Sequence, residues 1–203
     1  MKSMPILQAL GLTALCLSAM PVSATQAESQ PKLTQQQQSF FAQIASHCGQ
    51  AFAGKVVSGD SADSAFSGKA LIMHVRECSD TELKIPFHVG DDHSRTWVLT
   101  KTSQELRLKH DHRHQDGSED AVTMYGGDTA SAGTDQRQSF PIDKASIDNF
   151  INNGLTQSVT NVWHMAITPT TFSYQLTREN RDFKVDFDLT QPVALPPTPW
   201  GHD

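Results

Sequence analysis

The sequence predicts a mainly β protein, folded as an antiparallel up-and-down barrel or a strongly curved sheet with one N-terminal helix. From residue 69 onward, apolar and polar residues alternate with a period of two, as they do on strands with one buried face. Only short turns separate these segments, so consecutive strands are expected to run antiparallel. Closure into a barrel would remove the exposed edges of such a sheet.

Eight strands are predicted, and the alternation is clearest at residues 83–89 and 181–190. Residues 126–139 are rich in small and polar side chains and are too long for a hairpin loop, so we expect them to cover one mouth of the barrel. A short helix around Phe150, ended by Gly154, is expected next. The predicted strands are 70–78, 83–89, 94–101, 105–114, 118–125, 158–168, 171–178 and 181–190.

An amphipathic helix is predicted before the first strand. Thr34 and Gln37 have the spacing of a capping box, in which two side chains satisfy free backbone N–H groups at a helix start. Apolar residues then recur at helical intervals from Phe41 to Phe52, and Gly54 is expected to end the helix. The glutamine-rich start of this segment therefore predicts a helix rather than a low-complexity tail.

Residues 1–24 have the features of a cleavable secretory signal peptide. One lysine precedes an apolar run at residues 6–20, and Ala24 ends the segment with a small side chain that suits signal peptidase. The run is too short to predict a membrane span. We therefore expect a periplasmic or secreted protein, in which residues 25–33 form a polar leader and residues 34–203 form a single domain with a proline-rich C-terminal tail.

The charge balance argues against several classes of partner. The chain has 16 basic and 22 acidic residues, a net charge of −6 with neutral histidines, and no basic stripe. Such a chain is a poor match for nucleic acid or for an anionic membrane surface. A small molecule or a metal ion is the expected partner.

A disulfide is predicted between Cys48 and Cys78, the two cysteines outside the predicted signal peptide. It would clamp the N-terminal helix to the first strand. Closing a loop of this size stabilises a fold by about 3 to 4 kcal/mol in the chain-entropy model. The alternative is a pair of free buried thiols.

The stretch 105–128 is the most chemically distinctive part of the chain. It predicts a β-hairpin with a two-residue turn at Asp116-Gly117, because Asp-Gly supplies the positive φ angles that such turns require. Side chains on a strand alternate faces, so one face of the first strand changes from leucine to histidine along its length. That face carries Leu106, Leu108, His110, His112 and His114, and the opposite face carries Arg107, Lys109, Asp111 and Arg113.

Two-residue turns on both sides of this strand fix the expected register of its neighbours. Both Trp97 and Tyr125 would then face Leu108, and Arg95 would face His110. The apolar pairs match in this register. At the polar end of the sheet it brings together His93, Arg95, His110, His112, His114 and Glu119, with Asp91 close by.

One interpretation of this patch is a zinc or copper site. Residues two apart on a strand are about 6.6 to 6.8 Å apart, so two adjacent imidazoles can bind one ion. Imidazole ligands favour zinc or copper over calcium. His110 and His114 are too far apart to share an ion on a straight strand, and the charge of Arg95 opposes a cation. The candidate ligands are His93, His110, His112, His114 and Glu119.

A second interpretation is a pocket for an anion or a polar small molecule. Arg95 offers a planar fork of donors that fits a carboxylate or phosphate, and His110 and His112 lie beside it. Trp97 and Tyr125 would line an apolar interior below these polar groups. These five residues are the predicted ligand-binding residues.

Two further interpretations use the same residues. In an enzyme, a histidine paired with Glu119 or Asp91 would act as a general acid or base. The chain has no G-x-S-x-G or H-E-x-x-H motif, so the sequence favours binding without catalysis and identifies no catalytic residue. In a purely structural or protein-binding domain, the histidines would simply emerge from the core toward solvent.

The hairpin sequence also carries a resemblance. K-H-D-H-R-H-Q-D-G-S-E-D at residues 109–120, with the following Tyr125-Gly126-Gly127-Asp128, resembles bacterial secreted proteins of unassigned function. The similarity extends from about Cys48 to the closing Pro199-Trp200-Gly201-His202. It implies export and a shared hairpin, and it implies no ligand or reaction. The expected shape is lipocalin-like. This expectation comes from strand order and alternation and not from a sequence motif, since the chain lacks the early G-x-W of lipocalins.

Overall fold

The computed structural model describes Met1 and residues 32–59 and 65–202. The rest of the predicted signal peptide and nearly all of the predicted leader lie outside these residues, so both remain predictions. Among the described residues, no helix is long and apolar enough to cross a membrane.

Helix α1 spans Gln35–Ala45 and begins as predicted. The Thr34 hydroxyl accepts a hydrogen bond from the backbone N–H of Gln37, and the Gln37 side chain accepts one from the Thr34 N–H. The predicted end of the helix at Gly54 is wrong. Gly49 has a φ of 81°, which ends the helical backbone, and the chain from Ala51 onward is a strand that the sequence analysis missed.

Eleven strands and a second helix follow α1 within the described residues. Helix α2 spans Lys144–Asn152, close to the predicted position, and a 3₁₀ turn spans Thr156–Ser158. The strands are β1 Ala51–Ser58, β2 Leu71–His74, β3 Glu77–Cys78, β4 Glu82–Val89, β5 Asp92–Lys101, β6 Leu106–His112, β7 Tyr125–Asp128, β8 Arg137–Pro141, β9 Val162–Ile167, β10 Thr171–Arg178 and β11 Arg181–Val193.

Ten of these strands form an antiparallel, nearly closed barrel, which confirms the predicted fold class. The order is β7-β6-β5-β4-β2-β1-β11-β10-β9-β8, and β3 pairs with β4 beside this path. The remaining seam lies between β7 and β8. There the Asp143 N–H donates to the Gly126 carbonyl oxygen at 2.9 Å. A Cβ on Gly127 would lie 1.8 Å from the Pro141 carbonyl oxygen, so only glycine permits this approach.

The disulfide between Cys48 and Cys78 is present, as predicted. It joins the turn after α1 to β3, with the two Cα atoms 6.3 Å apart. A disulfide is typical of a protein that folds in an oxidising compartment, which is compatible with the expected export.

Helix α1 closes one end of the barrel, which we call the closed end. Phe40, Phe41 and Ile44 are buried in the core. The Lys101 ammonium lies 4.1 Å from the centroid of the Phe41 ring, and the Gln37 amide donates to the Thr129 hydroxyl at 2.7 Å. These contacts fix the helix to the ends of β5 and β7 and fill the barrel at that end.

Candidate functional site

The register between β5 and β6 differs from the prediction by two residues. Arg95 pairs with His112 and Trp97 pairs with His110. The connection is a four-residue loop rather than a two-residue turn: Thr102 donates its N–H to the Glu105 carbonyl oxygen, and its hydroxyl accepts the Glu105 N–H, both at 2.9 Å. An even slip leaves every side chain on its predicted face, so the leucine-to-histidine face points into the barrel.

The second half of the hairpin is less regular than predicted. The turn lies at the expected place, with Gly117 at a φ of 85°, but His114 and Ser118 flank a loop of three residues. The predicted strand 118–125 is wrong. The Asp120 carboxylate accepts the Val122 N–H at 2.7 Å, which turns the chain out of the ladder until β7 begins. Tyr125 consequently pairs with His110 rather than Leu108.

A cavity of about 440 Å³ occupies the barrel on the side away from α1. We call this side the open end. The residues that line the cavity there lie near the ends of β5, β6, β10 and β11. The five predicted ligand-binding residues all line it, and eight aromatic side chains contribute to its surface. The predicted residues are Arg95, Trp97, His110, His112 and Tyr125; the remaining aromatic ones are Phe66, Phe87, Phe150, Trp163, Tyr174 and Phe183.

His110 is held between two tyrosines and is 4 % exposed. Its Nδ1 lies 3.1 Å from the backbone carbonyl oxygen of Tyr125, which can only accept, so Nδ1 carries the proton. Its Nε2 then accepts the hydroxyl hydrogen of Tyr174 at 2.8 Å. Burial lowers the pKa of His110 to about 3, although the Tyr125 carbonyl opposes the shift. The imidazole is therefore neutral at physiological pH.

A second tyrosine–histidine pair lies nearer the mouth. The Tyr125 hydroxyl is 3.3 Å from His112 Nε2. Burial lowers the pKa of His112 to about 4, and the charge of Arg95 adds to this effect. Burial also raises the pKa of Tyr125 to about 12, and it raises the pKa of Tyr174 well above its usual value. The inner polar groups of the cavity are thus uncharged.

The five predicted metal ligands are not brought together. His93 is directed at His88, with 2.7 Å between the two Nδ1 atoms. His114 and Glu119 are exposed at the hairpin tip, where Glu119 pairs with Arg113 at 3.2 Å. Within residues 32–59 and 65–202, no group of three or more His, Cys, Asp or Glu side chains has a geometry that could hold a metal ion.

The acid–base pairing expected for an enzyme is likewise not formed by Glu119. The Glu119 carboxylate is bonded to Arg113 and its side chain is 62 % exposed. His110 and His112 are bonded to tyrosines within the cavity instead. The arrangement can hold and orient a polar group of a ligand through hydrogen bonds.

The opposite wall of the cavity was missed by the sequence analysis. Trp163 on β9 and Tyr174 on β10 meet His110 there, with ring centroids 5.1 and 5.7 Å from the His110 ring. Arg178 and Arg181 line the same cavity. Trp163 and Tyr174 are buried on their strands, and only the closure of the barrel brings them against the histidine face.

The C-terminal tail docks on the outside of the open end. Its Trp200 N–H donates to the His93 carbonyl oxygen at 3.0 Å. His202 Nε2 lies 3.1 Å from the buried Asp111 carboxylate. The tail thereby fixes the outer face of the hairpin whose inner face lines the cavity.

Comparison of the chain with protein-family models, with curated proteins and with solved structures finds no match. The resemblance to bacterial secreted proteins therefore stays a prediction, and the functional inferences rest on the geometry of the cavity.

Proposed function

We propose that the protein is an exported binding protein that holds a small molecule inside the open end of its barrel. The observation that supports this proposal is the cavity of about 440 Å³, whose lining combines eight aromatic side chains with inward polar groups. Its size lies within the range of about 300 to 1,000 Å³ that is typical of small-molecule sites. The neutral His110–Tyr174 and His112–Tyr125 pairs would orient a polar group of the ligand.

A metal-dependent role has less support from the geometry. Three of the predicted ligands, His93, His114 and Glu119, are engaged or exposed elsewhere. The two that remain, His110 and His112, hydrogen bond to tyrosines. Noncatalytic binding of an organic molecule therefore accounts best for the site.

Titration with the neutral fluorescent probe N-phenyl-1-naphthylamine tests this function. We expect saturable fluorescence enhancement at a stoichiometry of one probe per chain. Leu176 lines the cavity, so Leu176→Trp should fill the space and abolish binding. Val57→Trp is the matched control, because Val57 is 43 % exposed and lies outside the cavity.

Equal binding by Leu176→Trp and the wild type would contradict the proposal, and so would absence of binding to the wild type. Circular dichroism establishes whether each variant is folded. If Leu176→Trp does not fold, Val122→Trp is used instead, because Val122 lies on the irregular segment at the cavity mouth and has more room to adjust.

A further inference from the structure

Aromatic rings of the cavity lining stack on one another. Phe66, Phe87, Trp97 and Tyr174 form a continuous series, in which neighbouring rings have centroids 4.5 to 6.1 Å apart and interplanar angles of 8° to 20°. Beside this series, the His110 and Tyr125 rings stack at 4.7 Å and 9°, with His110 as the cross-strand neighbour of Trp97. Since the stacked rings cover one another's faces, an aromatic ligand would meet ring edges, and edge-to-face contacts between aromatic rings are favourable.

Arg95 places a fixed positive charge at this aromatic surface. Its guanidinium carbon lies 5.8 Å from the centroid of the Phe66 ring. One of its nitrogens, Nη1, donates to the Asp92 carboxylate at 2.5 Å, which holds the group in place. A guanidinium has five N–H donors, and this ion pair takes up only one of its nitrogens.

The electrostatic influence of Arg95 extends into the cavity. Its charge adds to the lowering of the His112 pKa and opposes the rise that burial causes in the pKa values of Tyr125 and Tyr174, so it acts on three lining side chains. Asp120 acts in the opposite sense on His112 and Tyr125, and its effect on both is the smaller one. Asp92 and Asp111 also raise the pKa of His112, and Arg95 is the charge with the largest single effect on His112 and Tyr125.

Charged residue types are few in the lining. Four lining residues in the described part of the chain are of charged types, and three of them are arginines. Arg178 donates to Asn161 at 3.2 Å, and the Arg181 guanidinium carbon lies 5.8 Å from the centroid of the Phe183 ring. The single acidic member is Asp120. Asp92, the acidic partner of Arg95, does not line the cavity, so a negative group of a ligand can reach the Arg95 guanidinium from the cavity side.

We propose that the natural ligand is an aromatic molecule with one anionic oxygen group, held with its rings among the aromatic side chains of the cavity and its anion at Arg95. This inference rests on the proposed small-molecule function of the same cavity. It adds the chemical class and the orientation of the ligand. A carboxylate matches the planar donor fork of arginine.

Competition between two probes that differ only in charge tests this inference. 2-Naphthoate carries a carboxylate, and 2-naphthamide is its neutral isostere. Each displaces bound N-phenyl-1-naphthylamine from the wild type, from Arg95→Gln and from the control Arg107→Gln. Arg107 lies on the outer face of the same hairpin, where it pairs with Asp128.

We expect the wild type to bind 2-naphthoate at least about ten-fold more tightly than 2-naphthamide. Arg95→Gln should weaken 2-naphthoate binding by about ten-fold to 100-fold, the range expected for loss of a hydrogen bond to a charged group. Its affinity for 2-naphthamide should change by less than about two-fold. Arg107→Gln should leave both affinities unchanged.

A second variant keeps the test decisive if Arg95→Gln does not fold. Asp92→Asn removes the carboxylate that competes for Arg95 and retains an oxygen for the Ser94 N–H. It should tighten 2-naphthoate binding and leave 2-naphthamide binding unchanged. Equal affinity for the two probes would overturn the anionic assignment, as would insensitivity of 2-naphthoate binding to both variants. Small-molecule binding would still stand in that case, because it fails only if N-phenyl-1-naphthylamine itself does not bind in the cavity.

Discussion

The closed and open ends of the barrel are built by the same strands but have different interiors. At the closed end, β6 contributes Leu106 and Leu108, which are fully buried below α1. Starting two residues after Leu108, the same face of β6 contributes His110 and His112 to the cavity lining. The closed end is filled by close-packed apolar side chains, and the open end is a cavity whose polar groups satisfy one another. One strand, β6, therefore supplies side chains to both the core and the site.

Truncation of Phe41 at the closed end should have the largest effect on stability. Phe41 is 2 % exposed, and replacing a buried phenylalanine by alanine costs about 3 to 5 kcal/mol. Leu176→Ala at the cavity wall should cost less than half of that amount, because the neighbouring space is already open. Urea unfolding of both variants measures the difference. Equal losses would show that the two ends are packed alike.

Removal of the disulfide should weaken the fold without affecting the cavity. Cys48 and Cys78 are 30 residues apart in sequence, so Cys48→Ser with Cys78→Ser should lower the free energy of unfolding by about 3 to 4 kcal/mol. The affinity for N-phenyl-1-naphthylamine should stay within about two-fold of the wild type below the unfolding transition. A large loss of affinity in the folded double variant would mean that the two ends are coupled.

The open end should make stability depend on pH. The folded pKa of His110 is about 3 and its ordinary value is 6.5, so the unfolded chain takes up the proton first as the pH falls. The stability that neutral His110 contributes is complete above pH 6.5 and is lost progressively between pH 6.5 and about 3. Between pH 7 and pH 5 this loss amounts to about 2 kcal/mol.

His110→Phe isolates this contribution. The free energy of unfolding of the variant should fall by about 2 kcal/mol less than that of the wild type between pH 7 and pH 5. His88 and His112, whose pKa values are also lowered by burial, contribute equally to both proteins. An unchanged dependence on pH would contradict the buried, neutral state assigned to His110.

A substitution on the outer face of the barrel should have the smallest effect on stability. The Arg107 side chain is 47 % exposed and pairs with Asp128 at 2.6 Å. Because exposed ion pairs contribute about 0.2 to 1 kcal/mol, Arg107→Gln should change the free energy of unfolding by no more than that. A loss above about 2 kcal/mol would make this arginine unsuitable as the control for Arg95.

The fold class and the inward face of the hairpin were predictable because both follow from the alternation of side chains between the two faces of a strand. The register slipped by two residues between β5 and β6, yet Arg95, Trp97, His110, His112 and Tyr125 still line one cavity. A register shift by an even number of residues keeps each side chain on the same face of the sheet. The sequence could not give the loop length, since Thr102 closes a four-residue loop through hydrogen bonds that a dipeptide pattern does not specify.

Strand β8 was missed because it overlaps the stretch 126–139 that was expected to cover a mouth of the barrel. Strand β1 was missed because it lacks a clean alternation: Ala51 and Phe52 are both buried, and the ladder with β11 is irregular after Phe52. Gly54 is required for packing rather than for ending a helix, since a Cβ there would lie 2.5 Å from the Phe187 ring. The far wall of the cavity was unpredictable for another reason. His110 and Tyr174 are 64 residues apart, and only barrel closure makes them neighbours.

The three tryptophans of the chain provide the most direct test of ligand binding in the open end. Trp97 and Trp163 line the cavity, whereas Trp200 packs against His93, away from the lining. Heteronuclear NMR resolves their indole N–H signals during titration with 2-naphthoate and, separately, with 2-naphthamide. With either probe at saturation, we predict that the Trp97 and Trp163 signals shift and the Trp200 signal does not. A shift confined to Trp200, or none in all three with both probes, would contradict binding inside the barrel.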